Sequence, residues 1–225
     1  MRLVDEGSLA LTVDAVNEAL LSGRPIPRPA RVEAATWIAR RQGLPGSYAN
    51  MFAPAEQDFV EARLFTGEAI ASRAATGHIL GEEAIRALQL LGMKTHEVRA
   101  ALARAKAGME ARVTDTASGP WGMYCCGTCS CAYWRNLAVG GLTRAEARLV
   151  QGMKEMKARR LGTGKWRSFP FFYAVLALTE IDLLGARAEL RYAAPVLERY
   201  LQRAATEGIT SQRRHTIAER ALARC

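Results

Sequence analysis

A chain of 225 residues, 49% of them hydrophobic, is long and apolar enough to bury a core without covalent staples, which excludes a disordered class. Its longest apolar run, residues 169–178, is about half of what a membrane span requires, and the opening MRLVDEGSLALTVDAV lacks the order of a secretory leader. Of the net charge of +9, +8 lies in the C-terminal part, since residues 1–142 carry 15 Lys/Arg against 14 Asp/Glu and residues 143–225 carry 16 against 8.

In chain order almost every segment reads as helix. Thr12 is placed to cap VDAVNEALLS, which Gly23 ends. The stiff RPIPRP connector (24–29) follows, and Pro29 suits the first turn of ARVEAATWIARRQ. Pro54 opens AEQDFVEARLF, stopped at Gly67. His78 reads as a turn residue in ATGHILGEE, one turn from Glu82, ahead of the helical EEAIRALQLL. Thr95 caps HEVRAALARAKAGMEARV, and Thr143 with Glu146 forms a T-x-x-E capping box for RAEARLVQGMKEMKARR. Ser168 is placed to cap FPFFYAVLALTEI, a segment apolar all round and therefore expected inside the protein. Pro195 is expected to split or kink ARAELRYAAPVLERYLQ, and a last helix spans Gln212 to Ala223. No stretch alternates like a strand. The expectation is an all-α fold of helical hairpin repeats, forming one domain over 1–225 with residues 1–28 as an N-terminal packing arm. Its expected location is cytoplasmic, with reduced thiols and no membrane span.

A local pattern recurs. ARRQGLPGSY (39–48) and ARRLGTGKW (158–166) each end an arginine-tailed helix, pass through glycines and present an aromatic, Tyr48 or Trp166. G-P-W at 119–121 resembles the same turn. With its inner helix, GKWRSFPFFYAVLALTEID resembles the repeats of the prenyltransferase and squalene-cyclase-like proteins over about residues 98–205. The resemblance implies an α/α toroid, or a related curved helical array, around an apolar concavity. It carries no mechanism over: the chain lacks the D-x-D-D run of the cyclases, and the Asp/Cys/His zinc pattern of the protein prenyltransferases is not recognisable. The apolar inner segments themselves lead to the expected function, a binding protein without a recognisable catalytic motif for a hydrophobic small molecule or protein ligand, with Tyr124, Trp134, Trp166, Phe171, Phe172 and Tyr173 as candidate lining residues. Two alternatives stand beside it. One is a terpenoid-cyclase- or prenyltransferase-related enzyme with a metal at the cysteines. The other is a nucleic-acid-binding array using the basic C-terminal half, where Lys165 and Arg167 flank Trp166.

GPWGMYCCGTCSCAYWRNLAVGG (119–141) holds four of the five cysteines. Cys126-x-x-Cys129 has metal-ligand spacing, and Cys125 and Cys131 add two more thiols. Three readings stand: small residues packed against a neighbouring helix, a zinc or other soft-metal site, or a redox pair such as Cys126 and Cys129. Four thiolates so close in sequence surround one ion only if the backbone loops tightly, and Gly127 is the residue that suggests such a loop. No cofactor is expected, with zinc the alternative that the thiols leave open. Glu180 and Asp182 are candidate paired acids.

Overall fold

The computed structural model describes residues 1–115, 117, 119, 121–203 and 207–225. Among the described residues there are ten α-helices, one 3₁₀ turn at Tyr48–Asn50, and no strands, only isolated bridges. No helix there is long and apolar enough to cross a membrane. Contacts group the chain into two compact units: Met1–Arg63 with Ala69–Thr114 and Val139–Thr143, and Leu64–Glu68 with Asp115–Ala138 and Arg144–Cys225.

In the first unit, α1 (Leu9–Leu21) and α2 (Arg28–Arg40) pack on α4 (Arg73–Leu91), joined by α5 (His96–Glu110) and the short α3 (Asp58–Glu61). Residues 1–28, expected as an arm, supply α1, buried through Leu9, Val13 and Val16. Ser8 rather than Thr12 caps α1, with its hydroxyl accepting the Leu11 N–H. Asp58 completes that terminus from a distance. Its buried carboxylate accepts the Ser8 hydroxyl at 2.5 Å, the Leu9 and Ala10 N–H groups at 2.9 and 3.4 Å, and the Ala55 N–H at 2.8 Å. One side chain thus satisfies the orphan donors of α1 and ties it to the loop before α3.

Helix α4 runs through the segment read as a turn. Residues 76–88 are buried without a break, so His78 lies inside the helix. Gly81 is required there by packing, because a Cβ at that position would meet Met51 at 2.6 Å. The polar groups on α4 find partners: Arg86 donates to Asn17 at 2.7 Å, Asn17 reaches Glu83 at 3.4 Å, and His78 lies 3.6 Å from Glu82 with its ring against Tyr48. Thr95 caps α5 as expected.

The second unit surrounds α8 (Phe171–Glu180), buried from Tyr173 to Leu178. It packs against α6 (Gly127–Ala138), α9 (Leu184–Leu201) and α10 (Ile209–Leu222), while α7 (Ala145–Lys157) packs on α6 and α9. The expected burial of FPFFYAVLAL is therefore present from Tyr173 to Leu178, while Phe171 and Phe172 in the first turn are half-buried. Helix α9 continues through Pro195 without splitting. The capping box of α7 does not form. Arg144 takes the N-cap in the left-handed region, and the Thr143 hydroxyl donates to Glu110 instead. Ser168 does not cap α8 either: it sits at φ +64°, and Glu68 accepts the Phe172 N–H at 3.1 Å.

The two similar sequence turns share a local geometry, each closed by one antiparallel bridge, Gln42 with Phe52 and Arg160 with Trp166. Gly43, Gly46, Gly162 and Gly164 all have positive φ. In the third copy Gly119 also has positive φ, while Pro120 lies outside the described residues.

Replacing Asp58 with alanine removes four accepted hydrogen bonds from a buried helix start. The expected loss is about 3 kcal/mol of stability, read from urea unfolding. A midpoint unchanged from the parent would show that the cap does not support the unit.

Candidate functional site

The cysteine segment is clamped onto α6 and α7 from both ends. Gly122 lies so close to α7 that a Cβ would fall 2.5 Å from the Gln151 carbonyl carbon and the Gly152 nitrogen. From α6 the Trp134 indole donates to the Gly122 carbonyl at 2.6 Å, and the Tyr133 hydroxyl to the Trp121 carbonyl at 3.3 Å. Ser130 draws the chain in further. Its hydroxyl accepts the Tyr124 N–H at 3.0 Å and lies 2.7 Å from the Cys126 carbonyl, to which it donates. The Ser130 N–H reaches that same carbonyl at 2.9 Å.

Between Tyr124 and Cys126, both held by Ser130, the backbone turns through Cys125 at φ +59°. A non-glycine residue in this region costs of order 1 kcal/mol and persists only where its surroundings impose it. The result is convergence: the Sγ atoms of Cys125, Cys126 and Cys129 all lie within 4.8 Å of one another. The tight loop is thus made at Cys125, not at Gly127. Gly127 begins α6 with ordinary φ and is small for another reason, since a Cβ there would fall 2.1 Å from the Ser168 carbonyl oxygen.

The fourth candidate ligand, Cys131, is outside this group. It is fully buried on α6, and two residues beyond Cys129 turn its side chain roughly 200° around the helix axis. Cys125 and Cys126 are exposed and Cys129 is buried; all five cysteines are free thiols.

The environment separates the thiols. Burial pushes Cys126 up, but hydrogen bonds to its sulfur outweigh it. The donors are the Cys129 N–H and thiol, the Thr128 N–H and the Cys125 thiol, and they hold Cys126 below its ordinary value. These backbone donors are the first N–H groups of α6, which favour negative charge. Burial, then the neighbouring Cys126 and Cys125 sulfurs, push Cys129 strongly up.

The six aromatic candidates are brought together only in part. Trp134, Trp166 and Tyr173 are buried. Trp134 stacks on Phe169 at 5.6 Å, while Trp166 packs between Phe171 and Tyr192 and donates its indole N–H to Glu189 at 2.8 Å. Phe171 and Phe172 contact each other, and Phe172 meets Tyr200. Tyr124 stands apart from these, between Trp121 and Tyr133 beside the thiols. Hollows of about 730 Å³ along Arg144, Ala147, Gln151 and Lys154, and of about 360 Å³ at Lys106, Gly140 and Thr143, are not lined by any of the six.

Glu180 and Asp182 do not form an acid pair. Glu180 takes both ends of Arg135 at 2.9 and 3.0 Å, whereas exposed Asp182 pairs with Arg187 at 2.7 Å. Several C-terminal arginines are likewise engaged within the second unit, Arg160 with Glu189 and Arg159 with Glu155 among them. Lys165 and Arg167 are exposed on either side of buried Trp166.

Ser130 is the site residue that sequence reasoning missed. A serine four residues after Cys126 has the spacing for back-bonding to a helical carbonyl, but that spacing alone does not reveal its second bond, to Tyr124. Comparison with protein-family models, with curated proteins and with solved structures gives no match.

In the presence of a chelator and a reductant, iodoacetamide is expected to modify Cys126 at least about tenfold faster than Cys129 near neutral pH. Its rate should rise with pH through a midpoint below that of the same thiol in the unfolded chain. Peptide mass mapping reads both. Labelling of Cys129 as fast as Cys126 would contradict the assigned asymmetry.

Proposed function

We propose that this chain binds a soft d¹⁰ cation, with zinc as the reference ion, through the thiolates of Cys125, Cys126 and Cys129. One observation carries the reading: three sulfurs gathered within 4.8 Å by a backbone turn that the rest of the segment imposes. Zinc–thiolate bonds of about 2.3 Å place tetrahedral sulfurs a little under 4 Å apart, which such a cluster reaches with small side-chain rotations. The Thr128 and Cys129 N–H groups that bond Cys126 stabilise its thiolate and so favour its deprotonation by an ion.

Three protein ligands leave a coordination position open. Cys125 and Cys126 are exposed, so that position is reachable from solvent or by a partner. This is the pattern of a catalytic or exchanging ion, in contrast to closed four-ligand structural sites.

The test is metal binding by the full chain purified under reducing conditions. One zinc per chain is expected by elemental analysis, and Co(II) substitution should give thiolate-to-metal charge-transfer absorption. Cys125→Ser, Cys126→Ser and Cys129→Ser should each weaken zinc binding about tenfold or more, while Cys225→Ser should leave it unchanged. Binding unaffected by all three substitutions would overturn the assignment.

A further inference from the structure

The same three thiols differ in a way that a plain ligand set does not require. Cys126 is exposed and stands before the first N–H groups of α6, whereas Cys129 is buried one turn along that helix. Their sulfurs are in contact range, within 4.8 Å. Helical spacing puts residues three apart at a Cα separation of roughly 5 Å, inside the range a disulfide accepts. Cys125 and Cys126 are adjacent, and a trans peptide fixes neighbouring Cα atoms at about 3.8 Å, below that range. Of the pairs that include exposed, helix-facing Cys126, only Cys126–Cys129 therefore closes a bridge without distorting the chain.

We propose that Cys126 and Cys129 form a reversible dithiol–disulfide couple that reacts with small-molecule disulfides, with Cys126 as the attacking thiolate and Cys129 as the resolving thiol. The inference rests on the ligand set of the proposed metal site, because closing the bridge removes two of its three ligands and releases the ion.

The chemistry balances without a further reagent. The Cys126 thiolate attacks one sulfur of a disulfide R–S–S–R, forming a mixed disulfide and expelling RS⁻. Cys129 gives its proton to the expelled thiolate or to water and attacks the Cys126 sulfur. The Cys126–Cys129 bond forms, the mixed disulfide breaks, and a second RS⁻ leaves. Two cysteines are oxidised and one small disulfide is reduced to two thiols. Exposure of Cys126 lets it meet the incoming disulfide first, and burial of Cys129 shields the resolving thiol from competing reagents. The assignment of Cys125 follows as well. It contributes to the ion but not to the bridge.

Oxidised glutathione is the probe, applied to the full chain carrying Cys225→Ser, in both zinc-loaded and chelator-treated forms. The expected result is a loss of two hydrogens per chain, a peptide linking Cys126 to Cys129, and release of zinc in step with the cross-link. Cys129→Ser should trap glutathione on Cys126. Cys126→Ser should slow adduct formation at the remaining cluster thiols about tenfold or more. A glutathione adduct at Cys125 in the Cys129→Ser protein, a bridge involving Cys125, or zinc retained with no cross-link would overturn the proposal. If the cross-link forms in a protein that bound no zinc beforehand, the couple stands and the metal reading falls.

Discussion

The whole site depends on one backbone dihedral, the positive φ of Cys125. In an extended or helical conformation, successive side chains point away from one another, and Cys125 and Cys126 could not face the same point. The left-handed turn reverses that divergence. It is unfavourable for a β-carbon-bearing residue, so something must hold it. Ser130 does so on both sides, through Tyr124 and through Cys126, while Gly122 against α7 and the Trp134 indole fix where the segment enters. The sulfur cluster is therefore a consequence of packing between α6 and α7 rather than of cysteine spacing alone.

Packing of α6 sets the other boundary. Gly127 lets the helix start against the Ser168 carbonyl, in the turn that leads into α8. The same turn displaces Ser168 from its capping role, so α8 takes its N-terminal acceptor from Glu68. Farther along α6, Arg135 is fully buried and forked onto Glu180 at the end of α8, beneath the Tyr173 ring. The most apolar helix of the chain and the helix that bears the thiols are thus locked at both ends, one by backbone contact and one by a charge pair. A rigid element beneath a strained turn is what a preorganised ligand set requires.

Much of this was legible in the sequence where a local rule governs the outcome. Thr95, Pro29 and the apolar run inside α8 behave as capping, first-turn and burial rules dictate. The failures share a cause, because each time a distant group competed for a local one. Thr143 is drawn to Glu110, Ser168 is used for contact with α6, and Ser8 precedes Thr12 because Asp58 gathers the start of α1. His78 read as a turn residue, yet α4 runs through it, with Tyr48 and Met51 filling the space beside Gly77 and Gly81. At the thiols the spacing pointed to three readings, but it placed the loop at Gly127, whereas the positive φ is at Cys125, and it grouped Cys131 with three sulfurs that converge without it. Glycine is the usual residue for positive φ, so a sequence cannot disclose that a cysteine adopts it.

X-ray absorption at the zinc edge of the reduced, zinc-loaded full chain tests the central claim most directly, because it counts sulfur neighbours. Convergence of Cys125, Cys126 and Cys129 predicts three sulfurs at about 2.3 Å and one lighter ligand. A shell of four sulfurs, or one made only of nitrogen and oxygen, would contradict it.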